Sequence, residues 1–247
     1  MHSETPEFES QERQRVYEYV NGQGIVDRDD LLGGALEIDA ASVEAHLTAL
    51  TEEGHLEEQD GQFRTAIERI EPRTYVSEDV EYTIRPARET DLPGIIDAIR
   101  QVSEEKTYIE AETVAEELDR DDVLIRFDRF ESRMFFVAVV DDEVVGWLHL
   151  EAPELAKLKH TSRLTLGIVE EYRGLGIGRR LMERGLEWAE RNGFHKVYNS
   201  FPATNRAAIE FIDSLEYEAH CEAIRKDHYM IDGEFVDELN LAVYLDP

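Results

Sequence analysis

Leu164-Thr165-Leu166-Gly167-Ile168-Val169-Glu170-Glu171-Tyr172-Arg173-Gly174-Leu175-Gly176-Ile177-Gly178-Arg179-Arg180-Leu181 passes from a strand pattern through a glycine loop into an amphipathic helix. Successive backbone N–H groups at such a junction converge on one concavity, and the helix dipole adds partial positive charge. Glycine is needed there because a side chain would keep an anion away from the backbone. Arg173, Arg179 and Arg180 place cations beside the concavity in an otherwise acidic chain. The stretch reads as a phosphate cradle. A dinucleotide fingerprint requires a glycine where Arg179 stands, and a nucleotide P-loop requires Gly-Lys-Ser/Thr, so neither applies.

Outward from the cradle, strand and helix patterns alternate. Residues 81–85 form a first strand closed by Pro86, and Asp91-Leu92-Pro93 starts a helix carrying Ile95, Ile96, Ile99 and Val102. Residues 134–140 and 143–150 are strands joined by the turn Asp141-Asp142. After the strand 164–169 come a helix over 177–191, a strand over 196–201, a helix over 205–214, and closing strands at 217–224 and 238–244. Residues 104–131 are densely charged, with a helix at 113–118. Hairpins mixed with helical crossovers give an α/β (α+β) chain whose mixed sheet is flanked by helices.

Upstream lies a second unit. Ser10 is placed as N-cap of a helix with Val16, Tyr19 and Val20 on one face, and a short helical segment runs over 28–32. A third helix opens at Asp39 or Ala40 and carries Val43, Leu47 and Leu50, and residues 55–67 read as a hairpin turning at Gln59-Asp60-Gly61. Three helices followed by a hairpin resemble a winged helix-turn-helix domain, which implies DNA binding. The charge disfavours that implication: residues 1–79 hold 20 acidic and 6 basic side chains, and residues 41–53 of the third helix contain no Lys or Arg. A dimerisation or partner-docking module is the favoured reading. The chain divides into a winged-helix-like domain at 1–67, a linker at 68–80, charged and without apolar period, and a larger domain at 81–247.

Within the larger domain, Arg173-x-x-Gly176-x-Gly178 after a strand and opening a helix resembles the acyl-CoA pyrophosphate loop of the GNAT N-acetyltransferase superfamily. Asn205-Arg206-Ala207-Ala208-Ile209 is similar to the family's Asn-x-x-Ala-Ile helix start, and Gly193–Val197 and Asp232–Asp237 also match in order. The resemblance covers residues 81–245. It implies a sheet whose fourth and fifth strands splay apart, leaving a gap between 166–169 and 197–200 for the pantetheine arm of acetyl-CoA. It also implies that Arg173, Gly174, Leu175, Gly176, Ile177, Gly178 and Arg179 hold the pyrophosphate, that Leu166, Gly167 and Ile168 line the arm, and that Asn205 lies beside it. A backbone N–H near Ile168 would polarise the thioester carbonyl.

Two catalytic positions of the family pattern are not matched. The usual tyrosine seven residues after the asparagine is Ile212, and the acidic residue near the fourth strand falls at Arg163. Glu151, ending the third strand, and His160, preceding the fourth, are candidates to face the amine, and Tyr217 is a candidate to reach the sulfur. His149 and Tyr198 read as structural, and Cys221 as a buried small residue. The histidines show no metal-ligand spacing.

With 56 acidic against 26 basic side chains among 247 residues, and only five lysines, the composition suits concentrated salt, where screening removes self-repulsion. It predicts partial unfolding at low salt. A single cysteine excludes a disulfide framework, and no apolar run fits a membrane span, so a cytoplasmic protein without a membrane partner is expected. The GNAT resemblance implies an acetyl-CoA-dependent N-acetyltransferase acting on a primary amine of a small molecule or protein, with a homodimer open. The alternative is a winged-helix regulator whose second domain senses acyl-CoA without catalysis.

Overall fold

The computed structural model describes residues 8–245 except 9, 24, 60, 67–69, 105–107, 122, 123, 125, 128–131, 153, 154 and 216. Two residues of the expected linker, 68 and 69, and parts of the charged segment lie outside the described residues.

The N-terminal module runs α1 (Gln11–Gln23), β1 (Ile25–Asp27), α2 (Arg28–Leu32), α3 (Ala40–Glu52), β2 (Leu56–Gln59) and β3 (Gln62–Thr65). Its three strands form an antiparallel sheet in the order β1-β3-β2. Ser10 receives the Arg13 N–H at 3.3 Å, and Asp39 receives the Ser42 N–H at 3.0 Å, a cap contributing about 1 kcal/mol. The apolar faces of α1 and α3 meet in a small core with Leu31, Leu56 and Phe63.

Residues 73–77, read from the sequence as linker, instead form strand β4 (Arg73–Ser77) of the main sheet. It pairs with β5 (Val80–Pro86) across a turn in which Glu78 and Asp79 adopt φ of 47° and 66°. β4 is an edge strand with one covered face. Tyr75 packs inward while Val76 is 69% exposed, so the stretch carries too little apolar alternation to be read as a strand.

The larger unit continues with α4 (Leu92–Ser103), α5 (Ile109–Asp121), β6 (Arg126–Phe127), β7 (Ser132–Val140), β8 (Glu143–Ala152) and β9 (Thr161–Ile168). It is completed by α6 (Ile177–Arg191), β10 (Lys196–Pro202), α7 (Arg206–Asp213), β11 (Ala219–Ile231) and β12 (Glu234–Tyr244). The sheet order is β11-β12-β10-β9-β8-β7-β5-β4, with β6 pairing β7. One face packs on α6 through residues such as Leu148, Leu164, Leu181 and Val197; the other packs on α4 and α5 through Ile95, Ile99, Leu118, Phe135 and Trp147. α6 lies so close that a Cβ on Gly185 would come within 2.5 Å of Leu148. The closing strands are longer than the sequence pattern indicates because their outer halves are exposed and carry no apolar period.

The sheet is interrupted where it matters. β9 and β10 are parallel neighbours only from Thr161↔Lys196 to Arg163↔Tyr198, whereas β10 stays paired with β12 along its whole length. Beyond Arg163 and Tyr198 the two strands part. The gap therefore opens earlier on β9 than the sequence pattern implies, at Leu164, and Val197 still lies in the paired segment.

Candidate active site

The cradle is built from backbone. β9 ends at Ile168, a single helical turn at Glu170–Tyr172 redirects the chain, and Gly174 and Gly176 take φ of 81° and 79°, a region open to glycine at little cost. Arg180 N–H makes the first bond of α6, to Gly176 C=O at 3.2 Å, leaving the N–H groups of Ile177, Gly178 and Arg179 without an intrahelical acceptor. A Cβ on Gly178 would press on Phe211 at 3.3 Å.

The three arginines serve mainly as ties. Arg173 Nε donates to Ile168 C=O at 2.9 Å, Arg179 donates to Ser214 C=O at 2.8 Å, and Arg180 pairs with Glu183 at 2.7 Å. Their bonds fasten the loop to the end of β9, α6 to the end of α7, and the first turn of α6 to itself. Arg173 and Arg179 nevertheless line the cleft.

From the cradle a cleft of about 440 Å³ runs between the parted strands. Leu164, Leu166 and Ile168 line one wall, and Asn199, Leu241 and Val243 another, with Ala208, Phe211 and Ile212 of α7 closing it. Val169 N–H donates to Val145 C=O at 3.0 Å, so by strand alternation the N–H groups of Leu164, Leu166 and Ile168 face the gap. Gly167 faces away: a Cβ there would lie 2.1 Å from Trp147. A row of backbone donors between apolar walls, ending in a helix N-terminus, fits a long amide-bearing arm with a pyrophosphate tail.

Asn205 stands behind this cleft rather than in it. It is 5% exposed, and its Oδ1 caps α7 by accepting the Ala208 N–H at 3.0 Å. It positions the helix that supplies Ile212, which lines the cleft as an apolar residue where the family pattern has tyrosine.

The three catalytic candidates are not brought together. Glu151 is held by Arg163, whose Nε lies 3.2 Å from it and whose Nη1 reaches Glu110 at 3.1 Å. His160 is exposed in the turn before β9, its ring 6.5 Å from that of His195. Tyr217 packs half-buried against the core and does not line the cleft. Cys221, expected to be buried, is exposed because β11 is an edge strand. Glu216, where the family pattern often has glycine, lies outside the described residues.

The structure supplies other groups. Tyr198 lines the cleft at the last paired residue of β10, and Tyr108, just before α5, lines it from the same face of the sheet. On the same face as Tyr198, Glu238 is 2% exposed, accepts from Tyr229 Oη at 3.2 Å and pairs with Arg225 at 2.7 Å. Burial, with the nearby carboxylates of Glu238 and Glu110, pushes the Tyr229 phenol above its ordinary range. His149 is fully buried and stacked on Phe135 at 4.4 Å. Burial, aided by Arg133 and Arg163, holds its imidazole well below the usual value, so it is neutral. Among the described residues no cluster could hold a metal ion, and no helix is long and apolar enough to cross a membrane.

A helix N-terminus with free N–H groups, opening on a gap between parted parallel strands, is the kind of site that suits an acyl-CoA. The acetyltransferase (GNAT) family model matches residues 96–217. An N-alpha-acetyltransferase from Sulfurisphaera tokodaii is 30% identical over 167 residues, spanning 62% of this chain and 89% of that protein. The chain belongs to the GNAT acetyltransferase family, and acetyl-CoA is its acyl donor. Among solved structures, an acetyltransferase from Salmonella typhimurium with its cofactor acetyl-CoA superposes with a TM-score of 0.54 at 18% identity, covering 67% of this chain and 95% of that one. A ribosomal-protein-alanine N-acetyltransferase from Brucella melitensis gives 0.51 at 25% identity, covering 66% and 99%.

Proposed function

We propose that the protein transfers the acetyl group of acetyl-CoA directly to the α-amine of a polypeptide N-terminus. The observation that carries this reading is the 30% identity to an N-alpha-acetyltransferase across 89% of that protein's length, together with a cleft open on the α5 face.

Acetyl-CoA supplies an activated thioester. The N–H groups of Gly176, Ile177, Gly178 and Arg179 hold its pyrophosphate, and those of Leu166 and Ile168 are placed to polarise its carbonyl. The amine arrives as an ammonium, which the carboxylates of Glu110, Glu151 and Glu238 attract. It must shed a proton before attack, and Glu110 and Glu151 are the bases that flank the point where β9 and β10 part. Tyr198, at that point on β10, is the hydroxyl that protonates the departing thiolate in place of the missing tyrosine. No covalent enzyme intermediate is required.

Incubation with acetyl-CoA and matched peptides, with free or blocked α-amines, tests the reading by mass spectrometry. Acetylation confined to the free N-terminus is expected. Transfer to a lysine side chain or a polyamine while the free N-terminus is spared would contradict it.

A further inference from the structure

The hairpin β4–β5 reaches the cofactor loop from the far edge of the sheet. Tyr82 is 3% exposed and stacks on Tyr75 across the hairpin, with ring centroids 5.5 Å apart and an interplanar angle of 24°. Its hydroxyl donates a long hydrogen bond of 3.5 Å to the Leu175 carbonyl, in the middle of the cradle loop. Burial raises the Tyr82 phenol above its ordinary range, so it remains a donor at neutral pH. The guanidinium of Arg180, in the first turn of α6, lies 5.0 Å from the centre of the Tyr75 ring. Farther along α6 the contacts change in kind: Arg184 donates to Glu71 C=O at 2.7 Å, and Arg73 clasps Glu187 with two bonds of 3.0 Å.

The Leu175 carbonyl and the Gly176 N–H belong to one planar trans peptide and point in opposite directions. A group that holds the carbonyl toward β5 thereby aims the N–H at the concavity. This plane turns through ψ of Leu175 and φ of Gly176, and the glycine, at φ of 79°, accepts φ of either sign, so the plane has unusual freedom to turn. Turned over, it would present an oxygen to the phosphates.

We propose that Tyr82, braced by Tyr75 and Arg180, is a positioning residue for acetyl-CoA: its hydroxyl fixes the Leu175–Gly176 peptide with the N–H facing the pyrophosphate. The strand that carries the brace is the segment joining the N-terminal module to the sheet. The inference rests on the family reading of the cradle.

Full-length Tyr82→Phe keeps the ring and removes the hydroxyl. Its dissociation constant for acetyl-CoA should rise about fivefold, the scale of one lost hydrogen bond, with kcat at saturating acetyl-CoA within about twofold. Tyr75→Phe, which keeps the stack, should bind like the wild type. Arg73→Gln, at the far end of the same strand, should lower Tm and leave the constant unchanged. An unchanged constant in Tyr82→Phe, or an equal rise in Arg73→Gln, would overturn the proposal. Wild-type protein that binds no acetyl-CoA would instead refute the reading of the cradle itself.

Discussion

The two halves of the cleft are made of different material. The donor half consists of backbone: N–H groups at the start of α6 and along β9, with glycines where side chains would intrude and apolar side chains as walls. The proposed acceptor half depends on side chains from distant segments: Tyr108 just before α5 and Tyr198 of β10 line the cleft, and beside them on the same face of the sheet stand Glu110 of α5, Glu151 and Arg163 of β8 and β9, and Tyr229 with Glu238 of the closing hairpin. Backbone recognition tolerates changes of neighbouring side chains and demands particular residues only where conformation or space requires them. Side-chain recognition can be rebuilt position by position. On the proposed reading, a cleft divided this way would hold one donor firmly while leaving the acceptor open to variation.

The harshest break falls on the donor half. Gly176→Asp places a charged, β-substituted residue at φ of 79° and should weaken acetyl-CoA binding by roughly a thousandfold, since like-charge juxtaposition costs several kcal/mol. Turnover measured against acetyl-CoA concentration would show it. On the acceptor side, Tyr198→Phe should lower kcat by about a hundredfold with little change in the KM for acetyl-CoA, as expected for loss of a general acid. A KM effect without a kcat effect would move Tyr198 from proton donor to wall.

Arg163→Gln sharpens the comparison on the acceptor side. It removes the guanidinium that ties Glu110 to Glu151, so kcat/KM for the amine should fall about tenfold through lost positioning, while binding of acetyl-CoA stays unchanged. Arg179→Ala should have the smallest effect. Its exposed guanidinium is already committed to Ser214 C=O, and a change in acetyl-CoA affinity below about threefold is expected. A large loss would mean that the arginines, and not the backbone alone, carry the phosphate.

This division explains what the sequence disclosed. Glycines spaced between a strand and a helix are a local signal, so the cradle at 173–178 and the elements around it could be read without coordinates. The α6 boundaries coincide with the pattern because its apolar face is continuous. Asn205 was legible as a helix start, but its side chain turns to the Ala208 N–H, a role that the expected place beside the pantetheine arm did not reveal. The acceptor groups had no local signal. Tyr108 sits in a charged stretch, Tyr198 looks like any strand aromatic, and Glu238 is one of 56 acidic residues until the sheet buries it beside Tyr229. Glu151 was a candidate by its position alone, and its tie to Arg163 joins residues of opposite charge across two strands that no spacing rule connects. β4 was missed for the related reason that an edge strand needs only Tyr75 to anchor it.

The most direct test is a calorimetric titration of acetyl-CoA into the full-length protein in about 2 M KCl, where charge is screened to about 2–3 Å. The account predicts binding with one acetyl-CoA per chain. A folded protein that takes up none would contradict it, because the backbone cradle would then be a structural turn without a ligand.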